Sequence, residues 1–95
     1  MMQKQKKIRL TGKAFQSFVG AVRQRDSCNC VLCGSYVSSE YPVHHEPGGP
    51  YKQDIVSQAV TLCHTCHVAV HGRDGHELRM RLREYLRGGG SYGVG

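Results

Sequence analysis

The sequence predicts a small α+β domain built on a four-cysteine metal knuckle and flanked by an N-terminal and a C-terminal helix. Three observations predict it. Two segments repeat apolar residues at helical spacing, two short central stretches read as strands, and two Cys-x-x-Cys turns bracket those strands. The chain has 95 residues and a mass of 10.6 kDa, which is one small domain. A chain this short buries a modest core and needs a further staple. The expected organisation is a basic, mobile arm over residues 1–10, one domain over residues 11–87, and a flexible Gly-rich tail over residues 88–95.

Each element has its own signal. From Lys13 to Arg25 the apolar residues Ala14, Phe15, Phe18, Val19 and Val22 fall on one helical face, with Lys13, Gln16, Arg23 and Gln24 opposite. Thr11 or Gly12 caps the start. Cys28-Asn29-Cys30-Val31-Leu32-Cys33-Gly34-Ser35 reads as a tight turn. Around Tyr41–His45 a short strand is expected, and Glu46-Pro47-Gly48-Gly49-Pro50 then breaks the chain. Tyr51 to Gln58 reads as a loop, Ala59 to Leu62 as a second short strand, and His64 to His71 as a short helix stopped by Gly72. The last helix runs from Gly75 to Arg87, with Leu78, Leu82, Tyr85 and Leu86 on its inner face.

Composition narrows the function classes. Five Cys and six His are more than packing needs, while tryptophan is absent and aromatics are only 7%, which excludes a large aromatic core. No apolar run approaches the roughly 20 residues that span a bilayer, so no membrane partner is expected. Thirteen Lys+Arg against 7 Asp+Glu give a net charge of +6, which favours a polyanionic partner. The plain alternative is a solvated basic surface that serves solubility. The odd cysteine count, with no apolar run after the basic N-terminus, speaks against a secreted disulfide framework. A reducing, cytoplasmic setting is expected, with the cysteines as metal ligands.

Cys30-x-x-Cys33 and Cys63-x-x-Cys66 carry the first constellation. A two-residue spacer lets one tight turn offer both thiolates to one tetrahedral Zn²⁺, and two such turns complete the site. The gap from Cys33 to Cys63 exceeds the roughly 15–20 residues of zinc ribbons, so it must hold a structural excursion. Four thiolates leave no open position, which makes this zinc structural. Cys28 is left as a spare thiol. The second constellation is His44-His45 with His67 and His71. His67 and His71 stand at i, i+4, the helical spacing that aims two rings at one metal. Neighbouring residues on a strand face opposite ways, so His44 and His45 are expected to take separate roles. His44, His67 and His71 together make a three-histidine site with open positions, and His45 is free as a general base. A chance pair on a surface helix is the plain alternative. His64 and His76 read as solvent-facing or cap residues. Asp54 and Glu46 are nearby carboxylates that could support the imidazoles from behind; plain solvation is the commoner outcome, and neither is assigned a role.

Val43-His44-His45, a Gly-rich loop and Leu62-Cys63-x-x-Cys66-His67-x-x-x-His71, preceded by Cys30-x-x-Cys33, resemble the HNH endonucleases of the ββα-metal fold. The resemblance covers roughly Cys30 to Gly72. It implies a ββα-metal core of the zinc-stabilised, four-cysteine branch common in phage and bacterial nucleases. His44 resembles the first metal ligand, His45 the base that deprotonates water, and His67 and His71 the remaining ligands. The family's middle Asn, which orients the base, is matched by Gln58, whose amide sits on a stem one methylene longer. The implied activity is metal-dependent hydrolysis of DNA phosphodiester bonds, by nicking with low sequence specificity. The implied cofactors are the structural Zn²⁺ and one catalytic divalent ion: Mn²⁺, Mg²⁺, Ni²⁺, Co²⁺ or Zn²⁺.

Double-stranded DNA is the expected partner. Phage packaging proteins are implied by the resemblance alone. The chain is expected as a monomer or weak dimer. Arg79, Arg83 and Arg87 recur at i, i+4, i+8 as a ridge for phosphates, and Arg73 follows the catalytic helix. An ordinary solvated face is the alternative for that ridge. The competing function, from a different class, is a non-catalytic zinc module that binds nucleic acid, with vestigial histidines.

Overall fold

The structure is a computed structural model that describes residues 8–46, 48 and 52–89. Among them, three helices and one two-stranded antiparallel sheet form a small α+β unit. The order is α1 (Gly12–Arg25), β1 (His44–His45), a 3₁₀ turn (Val56–Gln58), β2 (Ala59–Val60), α2 (His64–Val70) and α3 (Gly75–Arg87). No helix among the described residues is long and apolar enough to cross a membrane. The tail from residue 90 on and the arm before residue 8 lie outside the described residues, as do Pro47 and residues 49–51 in the Gly-rich break.

The strands are shorter than the sequence pattern suggests. β1 keeps only His44 and His45, and β2 only Ala59 and Val60, paired His44 with Val60 and His45 with Ala59. A two-stranded sheet is marginal by itself. It is held because its faces alternate between two cores. Val60 packs with Cys30, Val37, Leu62, Val70, Leu82 and Tyr85 on the side of α2 and α3. Ala59 packs with Phe18, Val22 and Val43 on the α1 side. Val60, Leu62, Val70 and Leu82 are fully buried, each worth roughly 1.5–3 kcal/mol of transfer free energy.

α1 departs from its predicted pattern at two positions. Phe15, expected in the core, is 38% exposed, and Arg23, expected on the polar face, is 8% exposed. Arg23 turns inward because its Nη1 donates to the Ser38 carbonyl at 3.1 Å. The end of α1 then supplies the polar centre of the fold. Arg25 pairs with Asp26 and donates to the carbonyls of Val56 and Ala59, at 2.7 and 2.6 Å. Asp26 in turn accepts from the Thr61 amide at 2.8 Å and from the Tyr85 hydroxyl at 2.6 Å. Burial, then Asp26, push the Tyr85 hydroxyl up to about 12. One buried carboxylate thus ties α1, the strand exit and α3 together.

The residues joining α1 to the sheet form the knuckle turn. Ser27 and Cys28 both adopt positive φ, 57° and 58°, a conformation that costs side-chain-bearing residues. A single antiparallel bridge pairs Asn29 with Tyr36. Gly34 closes the turn at φ 83°, with its amide on the Cys30 carbonyl at 2.8 Å. At the start of α3, Gly75 lets the backbone pass against the Val70 carbonyl, where a Cβ would sit 2.1 Å from that oxygen.

The expected mobile arm is in part docked. The Ile8 amide donates to the Gln53 side chain at 3.1 Å, the Asp54 amide to the Ile8 carbonyl at 2.8 Å, and the Leu10 amide to an Asp54 carboxylate oxygen at 2.7 Å. Ile8 to Leu10 therefore form a border of the domain rather than a free extension.

Candidate functional site

The four cysteines converge. Cys30 comes from the knuckle bridge, Cys33 from its turn, Cys63 from the N-cap of α2 and Cys66 from the first turn of α2. Their sulfurs lie within 4.8 Å of one another. Cys33 Sγ and Cys63 Sγ are 3.6 Å apart, close to the ~3.8 Å edge of a tetrahedron with ~2.3 Å Zn–S bonds. The Cys63 sulfur also accepts from the Cys66 amide at 3.4 Å, so the thiolate that would hold zinc also caps α2. Hydrogen bonding to Ser35 draws Cys33 down to about 6, while burial pushes the Cys66 thiol up. A zinc ion would stabilise all four as thiolates. The donor set and its geometry fit a structural zinc. Cys28 is half-buried and lies outside the cluster.

The histidines form the second cluster. His44, from β1, meets His67 of α2 and His71 at its C-cap, with ring centroids 5.2 and 5.4 Å from His44. The His67 and His71 rings are 5.1 Å apart, as expected one helical turn from each other. One nitrogen from each of the three lies within 4.8 Å of the others. Burial lowers the affinity of His44 and of His67 for protons; Glu46 partly restores that of His44, and the neighbouring imidazoles lower both further. His44 and His67 are therefore biased toward the neutral, metal-ligating form. With the His44 Nε2 facing Glu46 at 3.2 Å, Nδ1 is the nitrogen left for a cation.

His45 faces the other way, as strand alternation requires. Its ring stacks on Phe18 at 5.9 Å, and its Nε2 lies 2.9 Å from the Asp54 carboxylate. Burial opposes ionisation of Asp54, but the Leu10 amide and His45 more than offset it and hold the carboxyl below its ordinary value. Both histidines nonetheless border one cleft of about 240 Å³, with Val43, Gly48, Lys52, His67 and His71 completing its wall.

Several placements differ from the sequence reading. Glu46 and Asp54, left between supporting the imidazoles and plain solvation, are 4% and 7% exposed and each engages a histidine. The Gln58 side-chain oxygen is buried without a partner, while the carboxylate of Asp54 engages His45. His64 is exposed, but its Nδ1 lies 2.6 Å from the Tyr41 hydroxyl. Of the arginines, Arg79 donates to the Val70 carbonyl at 2.5 Å and Arg83 to Glu46 at 2.8 Å, whereas Arg73 and Arg87 are exposed. No local signal picks out Lys52, which lines the cleft from the loop. Glu46 stands two residues from His44, whereas Arg83, its other partner, is supplied by the fold.

Comparison with protein-family models, with curated proteins and with solved structures finds no match.

Proposed function

We propose that the protein is a metal-dependent DNA endonuclease of the HNH type that nicks phosphodiester bonds with low sequence specificity. One observation carries the reading. A three-histidine cluster with metal-ligand spacing shares a cleft with a histidine whose outer nitrogen is bound to a buried carboxylate.

The roles follow from the contacts. With Nε2 against Asp54, His45 carries its hydrogen there and leaves Nδ1 as the basic nitrogen. Nδ1 takes the proton of an attacking water, and Asp54 steadies the imidazolium that results. His44, His67 and His71 are the ligands for a divalent ion, Mn²⁺ or Mg²⁺ or a softer alternative. When bound by these three residues, a divalent ion would supply Lewis acidity for the developing charge of phosphodiester hydrolysis. Lys52 adds a cation to the cleft wall, suited to a phosphate oxygen. Arg73 and Arg87 are exposed for the flanking backbone, while Arg79 already serves the Val70 carbonyl. Gln58 stands where the family's Asn would be, beside β2.

The second reading is a non-catalytic zinc module that binds nucleic acid. The unpartnered Gln58 oxygen favours it, because an orienting amide would engage the base. Nicking of supercoiled plasmid separates the two. The nuclease reading expects nicking with Mn²⁺, none with EDTA, and a loss on the order of 10²–10⁴ in rate for His45→Ala with metal content intact. Retained DNA binding with no nicking under any divalent ion supports the module instead. A His45→Ala variant that nicks like wild type removes His45 from the role of base.

A further inference from the structure

Glu46 has no part in the chemistry above, yet it is among the most enclosed charged groups of the protein. Its side chain is 2% exposed and both carboxylate oxygens are used. Oε1 lies 3.2 Å from the His44 Nε2, and Oε2 accepts from Arg83 Nε at 2.8 Å. The backbone explains the placement. The Glu46 amide donates to the Gln58 carbonyl at 2.9 Å, which extends the ladder one residue past β1. Residues two apart on a strand share a face, so His44 and Glu46 both point toward α3. Arg83 reaches across from α3 with its side chain still 53% exposed.

We propose that Glu46 and Arg83 are positioning residues for the metal ligand His44. Arg83 fixes the carboxylate, and the carboxylate takes the Nε2–H of His44. The ring is thereby held in one tautomer and one orientation, with Nδ1 toward His67 and His71. A carboxylate behind a ligating imidazole also raises its basicity toward the metal. The second and central arginine of the α3 ridge then belongs to the metal site rather than to the phosphate grip. The inference rests on His44, His67 and His71 being a divalent-ion site.

The test is Mn²⁺ titration of the zinc-loaded protein, read by loss of the free-ion EPR signal. Mn²⁺ has little affinity for the cysteine cluster, so the readout reports on the histidines. Glu46→Gln should weaken Mn²⁺ binding by about 10–100-fold and Arg83→Met by about tenfold. The double variant should be no weaker than Glu46→Gln alone, because both changes break one chain of contacts. Arg83→Lys, which returns a cation beside Glu46, should recover part of the loss. Zinc content should stay unchanged and the thermal transition should stay cooperative in the Arg83 variants, and DNA affinity of the zinc-loaded protein without added Mn²⁺ should stay within about twofold of wild type. Wild-type Mn²⁺ affinity in Arg83→Met, or a weaker DNA complex without any change in Mn²⁺ binding, overturns the proposal and returns Arg83 to the phosphate ridge. A different result separates the two layers of inference. Mn²⁺ binding that survives His44→Ala removes the three-histidine site itself, and the positioning role with it.

Discussion

His45 and Asp54 face each other across 2.9 Å, and the second oxygen of Asp54 is taken by the Leu10 amide at 2.7 Å. One carboxylate thus ties the entry of the chain into the domain to the wall of the cleft.

Asp54→Asn is expected to lower the nicking rate by at least tenfold, with an upper bound near the ~10⁴ known for the same change in a triad carboxylate. The cause would be a His45 free to take the wrong tautomer. Gln58→Ala should cost less, and Gln58→Asn should keep activity. Single-turnover nicking on supercoiled plasmid ranks the three; a Gln58→Ala variant slower than Asp54→Asn would reverse the order. Stability should respond as well. The folded-state affinity of Asp54 for protons is below its ordinary value of 3.8, so its contribution is present above that range and is lost as the pH falls through and below it. Thermal transitions followed from about pH 6 to pH 3 should fall more steeply in wild type than in Asp54→Asn.

Removing the knuckle metal should unfold the domain. Cys30 belongs to the larger core and Cys63 and Cys66 pack against it, so the cluster and the core form together. Cys63→Ser, or a strong chelator, should abolish the cooperative thermal transition followed by circular dichroism. A metal-free protein that melts like the loaded one would show that the cysteines contribute no folding energy.

Asp26→Ala should be among the most damaging single changes in the chain. It leaves Arg25 without its carboxylate, and the Thr61 amide and the Tyr85 hydroxyl without their acceptor. Breaking a buried pair costs about 3–5 kcal/mol, and each kcal/mol lowers the midpoint by roughly 4–8 °C in a domain of this size. Calorimetry on the zinc-loaded variant measures it; a shift of only a few degrees would mean that water replaces the carboxylate.

Arg73→Ala with Arg87→Ala should weaken DNA binding and flatten its dependence on salt by up to about two phosphate contacts. Fluorescence anisotropy at two salt concentrations reads both effects. Unchanged slopes would assign these exposed arginines to solvent.

What the sequence disclosed was set by range. The two Cys-x-x-Cys turns and the i, i+4 spacing of His67 and His71 are local, and α3 runs from Gly75 to Arg87 as its apolar repeat requires. Long-range partners were not legible. Glu46 finds Arg83 at 37 positions' distance, and Asp26 finds Tyr85 at 59. Nothing near Glu46, Asp54 or Asp26 marks it as buried, since carboxylates ordinarily stay in water unless a partner arrives. Arg23 misled for the same reason: its acceptor is the Ser38 carbonyl, beyond the knuckle. The strands need only two pairs because Val60 and Ala59 are each held by a separate core, which the alternation of the sequence alone does not reveal.

α2 has only seven residues, begins on the Cys63 sulfur, and carries Cys66 and His67 side by side. A helix that short does not persist by itself in water. Closure of the thiolates on zinc would therefore help to set the helix that carries His67. Under the proposed function, zinc would be taken up first and the second cation afterwards, mild chelation would strip the two in the reverse order, and the supply of zinc would limit how much of the protein gains the second cation.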